Sequence, residues 1–300
     1  MATKPVTNDY STYKRRFWQL FMYGFLGIIF LFLFASWGFF GKMPSFDDLE
    51  NPDSNVATEI ISADGVVIGK FYKENRTPVK YEELPQHLVK ALVATEDERF
   101  YEHSGIDAKG TLRAVVKLGK DGGASTLTQQ LAKNLFHGEG SKFILFRVIQ
   151  KVKEWIIAIR LERQYTKQEI IALYLNQVDF VNGAVGIRSA AKIYMNKEPK
   201  DLTIEEGALF VGMLKNPSLY NPNRKKRAQL VLDRRNTVLG QMVKNEVITE
   251  SKKEELKKLP IKLDFRPESH SEGSATYFRE YLRDYMRKWV KTHLKPDGTE

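Results

Sequence analysis

A chain of 300 residues with 42% hydrophobic and 28% charged side chains can form one large domain or two modest ones, each with a core. Its 47 Lys and Arg exceed its 37 Asp and Glu, and the formal charge of +10 suits nucleic acid, anionic lipid or phosphate-bearing substrates as well as it serves solubility. Cysteine is absent, which excludes disulfides, thiolate metal sites and a cysteine nucleophile.

Residues 1–16 read as a cytoplasmic tail and 17–40 as a transmembrane helix. Phe17 to Phe40 carries no charged residue over 24 positions. At about 1.5 Å per residue that run covers the roughly 30 Å hydrocarbon layer. Trp18 and Trp37 sit near its ends, where aromatic rings favour the interface. Lys14, Arg15 and Arg16 make the N-terminal flank the more positive one, which keeps that end in the cytoplasm. A cleaved signal peptide is the alternative, but its apolar core would span about 7–15 residues before a small-residue cleavage site. Here the run ends in Trp37-Gly38-Phe39-Phe40-Gly41-Lys42. The rest of the chain is then expected outside the membrane, periplasmic or extracellular. That placement removes nucleic acid as a partner and leaves membrane lipid and lipid pyrophosphates.

Residues 41–83 read as a connector followed by a β-hairpin, with Ala63-Asp64-Gly65 as the turn between two β-branched runs. Gly65 to Lys70 has a faint phosphate-loop look, but only three residues separate the glycines and no Ser or Thr follows the Lys. From Leu84 the pattern is helical. Pro85 opens a helix, Leu88, Ala91, Leu92 and Thr95 keep helical spacing, and Glu96 falls at its end, where a carboxylate is partly desolvated. A polar block, Ser125-Thr126-Leu127-Thr128-Gln129-Gln130, leads to Lys133 and Asn134. Lys142 to Gln164 reads as one long helix on which Arg147, Lys151 and Glu154 share a face. Thr166 with Glu169, and Thr203 with Glu206, have capping-box form. Gly183 and Gly186 mark a turn, Ser189 to Tyr194 is helical, and Arg224 to Lys244 is a basic helix. A core domain over 84–250 would then pass into a linker over 251–300.

Several side chains carry possible chemistry. Glu96 and Glu154 lie on separate helices, and two carboxylates facing across a cleft are the usual equipment for making or breaking a glycosidic bond. The hydroxyls and amides of 125–130 match sugars and phosphates, although Ser125 or Thr126 would equally serve as a helix N-cap. Such a helix N-terminus would also attract an anion. Lys133, Arg147, Lys151 and Lys153 can neutralise a pyrophosphate, or form a solvated basic face. No His-x3-His or His-Glu-x2-His pair exists, so a protein-built zinc site is not expected and His103 reads as support for the Glu96 loop. Ser189-Ala190-Ala191-Lys192 matches Ser-x-x-Lys, but neither Ser-Asp-Asn nor Lys-Thr-Gly follows it.

Five segments stand in order: Glu96-Asp97-x-x-Phe100-x-x-His103-x-Gly105; Gly123 to Gln130 with Lys133-Asn134; Lys151-x-x-Glu154, extended by Leu161-Glu162 and Tyr174-Leu175-Asn176; Gly183-x-x-Gly186 through Tyr194; and Glu206 to Pro222, continuing to Arg234-Arg235. Together they resemble the family 51 peptidoglycan glycosyltransferases, the glycan-polymerising domains of class A penicillin-binding proteins. Gln150 stands where that family usually has Arg, and Met195-Asn196 where it has Phe-Gly. Arg147, one turn earlier, can replace the first charge, and Asn196 can take the left-handed backbone of the glycine.

The resemblance implies a mainly α, lysozyme-like glycosyltransferase domain with the short β-hairpin and the N-terminal transmembrane helix. It implies polymerisation of lipid II on a growing glycan strand, with inversion to a β-1,4 link and release of undecaprenyl pyrophosphate. Glu96 would be the base, and Glu154 would assist the leaving group. Substrate-binding roles would fall to Asp97, Phe100, Gly123, Ser125, Thr126, Thr128, Gln129, Gln130, Lys133, Asn134, Arg147, Lys151, Lys153 and Asn176. A divalent cation, Mg or Mn, is expected on the same ground, as are a place in the bacterial inner membrane and cell-wall synthesis partners. Larger members continue into a transpeptidase domain, and residues 251–300 would lead towards it. A lytic glycoside cleaver on the same scaffold and a non-catalytic scaffold remain alternatives.

Overall fold

The computed structural model describes residues 10–41, 43–44, 58–65, 67–71, 78–116, 125–136, 143–267 and 276–293. Helix α1 (Ser11–Ser36) is the apolar N-terminal segment, long and apolar enough to cross a membrane, and almost all of its surface is exposed. It starts six residues before the uncharged stretch, so Lys14, Arg15 and Arg16 lie on the helix itself. Strands β1 (Thr58–Ile61) and β2 (Val67–Phe71) pair antiparallel with a register shift between Ile60 and Ile61. Gly65 sits in the turn at φ +82°. The hairpin is therefore present, and the described residues are otherwise helical apart from turns and one isolated bridge.

Helix α2 (Gln86–Glu96) buries six of its eleven residues, and the chain breaks out of it at Asp97. Helix α3 (Ala108–Val116) follows, then α4 (Leu127–Phe136), α5 (Ile144–Gln164) and α6 (Lys167–Gln177). Thr166 caps α6 as the capping box requires: its side chain accepts from Glu169 N–H, and Glu169 accepts from Thr166 N–H at 2.8 Å. Helix α7 (Ile187–Met195) ends at Asn196, which has φ 52° and ψ 41°. The Lys197 N–H then reaches back to Ala191 C=O at 3.2 Å. Asparagine thus supplies the left-handed closure that glycine supplies elsewhere.

Helix α8 (Ile204–Leu214) is the centre of the domain. Seven consecutive residues, Gly207 to Met213, are buried, and a helix apolar on all sides has to be enclosed by others. It packs against α2 and against α9 (Ala228–Lys244). The Phe210 ring meets Phe180 and Tyr194 edge-on at 5.7 and 6.1 Å. A second layer is formed by α4 against α5 and α6, with Leu127, Leu131, Ile157, Leu161 and Ile170 fully buried.

Helix α10 (Glu250–Lys257) and residues 261–266, read from sequence as the start of a linker, are instead packed on the domain. Asp264 N–H and Arg266 N–H donate to Tyr194 and Ile193 C=O, and the Phe265 ring lies tilted against Tyr194 at 5.6 Å. Helix α11 (Thr276–His293) approaches β2. Helix α1 packs on α5: Phe32 lies 6.1 Å from Trp155, and Arg160 donates to Pro44 C=O.

Candidate active site

A cleft of about 750 Å³ is walled by α4, α5, α6 and the segment after α8. It is large enough for a bulky polar ligand. Ser125, Gln129, Gln130, Lys133 and Asn134 line it from α4 and its lead-in; Lys151 and Glu154 line it from α5. Three-residue spacing on α5 brings Lys151 Nζ to 3.1 Å from Glu154, and the same ammonium donates to Ser125 Oγ at 2.8 Å. Glu154 is buried beneath it, while Lys151 keeps about a third of its side chain exposed. The result is a charged pair with its positive end towards the cleft.

Glu96 lies just behind this lining, at the last residue of α2, with 16% of its side chain exposed. The Gln130 side-chain amide donates to Glu96 Oε2 at 3.1 Å, and the Arg234 guanidinium approaches Oε1 at 3.8 Å. Arg234 is itself fixed by donating to Gly212 C=O and by lying over the Tyr220 ring. Tyr174 donates its hydroxyl to Gln130 Oε1 at 3.0 Å. Burial first, then the nearby Glu96 charge, push the Tyr174 phenol far above its ordinary range, so it remains a donor.

Other residues expected to touch substrate have structural work instead. Asp97 is buried and accepts from Leu127 N–H at 2.9 Å, capping α4 from outside, and from His103 at 3.1 Å. The His103 contact ties the end of the loop after Glu96 back to Asp97. Thr126 is buried and accepts from Gln129 N–H as the local N-cap, while its hydroxyl donates to Gly105 C=O. Gln129 also donates to that carbonyl. Two first-turn donors of α4 are thus used internally rather than offered to an anion. Thr128 is buried and donates to Glu162. Phe100 is fully buried beneath the Lys167 ammonium, 4.2 Å from the ring centre. Asn176 clamps the backbone of Val79 with two hydrogen bonds at 2.9 Å.

Arg147 is exposed and outside the cleft lining, and Lys153 sits beside Gly41 at the end of the apolar segment. Gly123 falls outside the described residues. Tyr174 and Arg234 lie within recognised segments but carried no expected role. Asp179 and Lys215, which also line the cleft, were not singled out. Their proximity depends on how α6, α8 and α9 come together, which no local spacing reveals.

A model of the family described as Transglycosylase matches residues 64–243. The chain belongs to this transglycosylase family. Among similar relatives, penicillin-binding protein 1F of Bacillus subtilis is 43% identical over 196 residues, covering 63% of this chain and 26% of its own length. Penicillin-binding protein 1A of Vibrio cholerae is 39% identical over 223 residues, 73% of this chain and 26% of its own length. This transglycosylase-family chain therefore spans about a quarter of the length of those relatives. A crystal structure of penicillin-binding protein 1A from Haemophilus influenzae aligns over 82% of this chain and 26% of that one, at a TM-score of 0.44 and 23% identity.

Proposed function

We propose that this chain is a membrane-anchored peptidoglycan glycosyltransferase of cell-wall synthesis that polymerises lipid II into β-1,4-linked glycan strands. The observation that carries the reading is the Ser125–Lys151–Glu154 group on the cleft wall, close to a carboxylate held ready on α2, in a chain of the transglycosylase family.

Glu96 is the general base. Held by Gln130 and Arg234, its carboxylate accepts the proton of the acceptor sugar's 4-hydroxyl as that oxygen attacks the anomeric carbon of the lipid-linked strand. The bond to the pyrophosphate oxygen breaks on the opposite face, so the configuration inverts and undecaprenyl pyrophosphate leaves. Lys151, oriented by Ser125 and Glu154, and Lys133 on the same wall neutralise the departing charge. Asn134 provides amide contacts for sugar hydroxyls and acetamido groups. Helix α1 would hold this cleft at the outer face of the cytoplasmic membrane, within reach of a lipid-linked substrate.

The described residues contain no group of three or more His, Asp or Glu suited to a metal. The cleft does present Glu154 and Asp179, and one or two carboxylates plus substrate phosphates suffice for magnesium. A divalent cation bound there would add charge neutralisation at the pyrophosphate. The test is product analysis with labelled lipid II and the full chain in detergent. Polymer and free undecaprenyl pyrophosphate should appear together. Release of muropeptides from preformed polymer would mark a lytic enzyme, and no turnover a scaffold.

A further inference from the structure

Gln130 spans the space between a buried phenol and the Glu96 carboxylate. An amide side chain has unlike ends: its oxygen only accepts and its nitrogen only donates. An ionised Glu96 only accepts, so the nitrogen must face it, as the 3.1 Å contact shows. The oxygen then points to Tyr174, whose hydroxyl donates at 3.0 Å. Tyr174 is 2% exposed, so its hydroxyl has no solvent to turn to and stays on that oxygen. With both ends engaged, the amide cannot rotate without setting its oxygen against the carboxylate and its nitrogen against a donor. One amide hydrogen remains for the cleft, which Gln130 lines.

We propose that Tyr174, acting through the Gln130 amide, is a positioning residue that fixes the aim of the Glu96 carboxylate. The inference rests on the assignment of Glu96 as base. It makes Gln130 chiefly a part of the base's support and only secondarily a ligand contact. The raised pKa of the phenol agrees with this role, because the donor survives at any working pH.

Two measurements test the inference. With labelled lipid II and the full chain, Tyr174→Phe should lower kcat about 10-fold and change KM less than about 2-fold. Gln130→Leu should lower kcat further, and Tyr174→Phe combined with Gln130→Leu should lose no more than Gln130→Leu alone, because Tyr174 acts through it. Losses that multiply in the double variant, or a loss confined to KM, would overturn the proposal. The second measurement needs no substrate. In urea unfolding, the midpoint changes of Tyr174→Phe and Glu96→Gln should be non-additive in the natural background and additive once Gln130→Leu is present. Additivity in the natural background would overturn the relay even if the chain polymerises lipid II. A natural chain without turnover would instead strike the functional reading, and the unfolding cycle would still decide the relay.

Discussion

Lys151 bridges a hydroxyl and a buried carboxylate while keeping its charge at the cleft surface. Replacing it with Met should leave Glu154 without its cation and the leaving group without its counter-charge. We expect kcat for lipid II polymerisation to fall about 10²–10³-fold, a typical cost for removing one electrostatic stabiliser. Ser125→Ala, which only loosens Lys151, should cost about 10-fold or less by the same reasoning. A Lys151→Met enzyme within 2-fold of the natural one would remove Lys151 from the mechanism. At the same scale, Tyr174 yields a pH prediction. Its folded-state pKa is raised, so the folded chain holds the proton more tightly than the unfolded one. The corresponding stability is complete below pH about 10 and declines as pH rises above that value. Tyr174→Phe should therefore show a shallower fall in unfolding free energy between pH about 10 and 11.5, checked by urea titration at each pH.

At the scale of elements, the site depends on how α4 begins. Asp97, Thr126 and Gln129 meet around Gly105 C=O and the first N–H groups of α4, so the Glu96 loop and the polar block are tied into one unit. Gly105 has φ +87°, and an added Cβ would lie 2.8 Å from the Ala158 carbonyl carbon on α5. Gly105→Ala should cost about 2–4 kcal/mol through left-handed strain and overpacking, read as a lowered thermal midpoint. Asp97→Ala should cost about as much, by removing a cap and stranding His103. The sequence displayed the ingredients of this unit but not their division of labour. Ser125, Lys133 and Asn134 line the cleft with accessible side chains, whereas Gln129 borders it but is 1% exposed. Thr126 and Thr128 have the same chemistry but point inward, because the helical turn that exposes Ser125 and Gln130 buries them. Glu154 and Lys151 were readable as neighbours because i,i+3 spacing is local; Arg234, 138 residues beyond Glu96, was not.

At the scale of the molecule, most helices followed from apolar periodicity and caps and the hairpin from its turn, while α3, between the Glu96 loop and the polar block, was not anticipated. What periodicity could not place was the path after α9. Arg235 is almost fully buried and donates to the carbonyls of Leu256, Lys257 and Leu259, drawing residues 250–266 onto the domain. Arg235→Met should leave those carbonyls unsatisfied and cost about 2–4 kcal/mol, with catalysis per folded molecule unchanged. Helix α1 meets α5, the helix that carries Lys151 and Glu154, through Phe32 and Trp155, so the apolar N-terminal helix rests on an element that lines the cleft.

Whether Glu96 is the base of a glycan-polymerising cleft is decided by the initial rate at which purified Glu96→Gln converts labelled lipid II to polymer, beside the natural chain. The Glu96→Gln rate should be about 10³-fold or more lower, with the folded structure retained by circular dichroism. Polymerisation by Glu96→Gln at the natural rate would contradict that role.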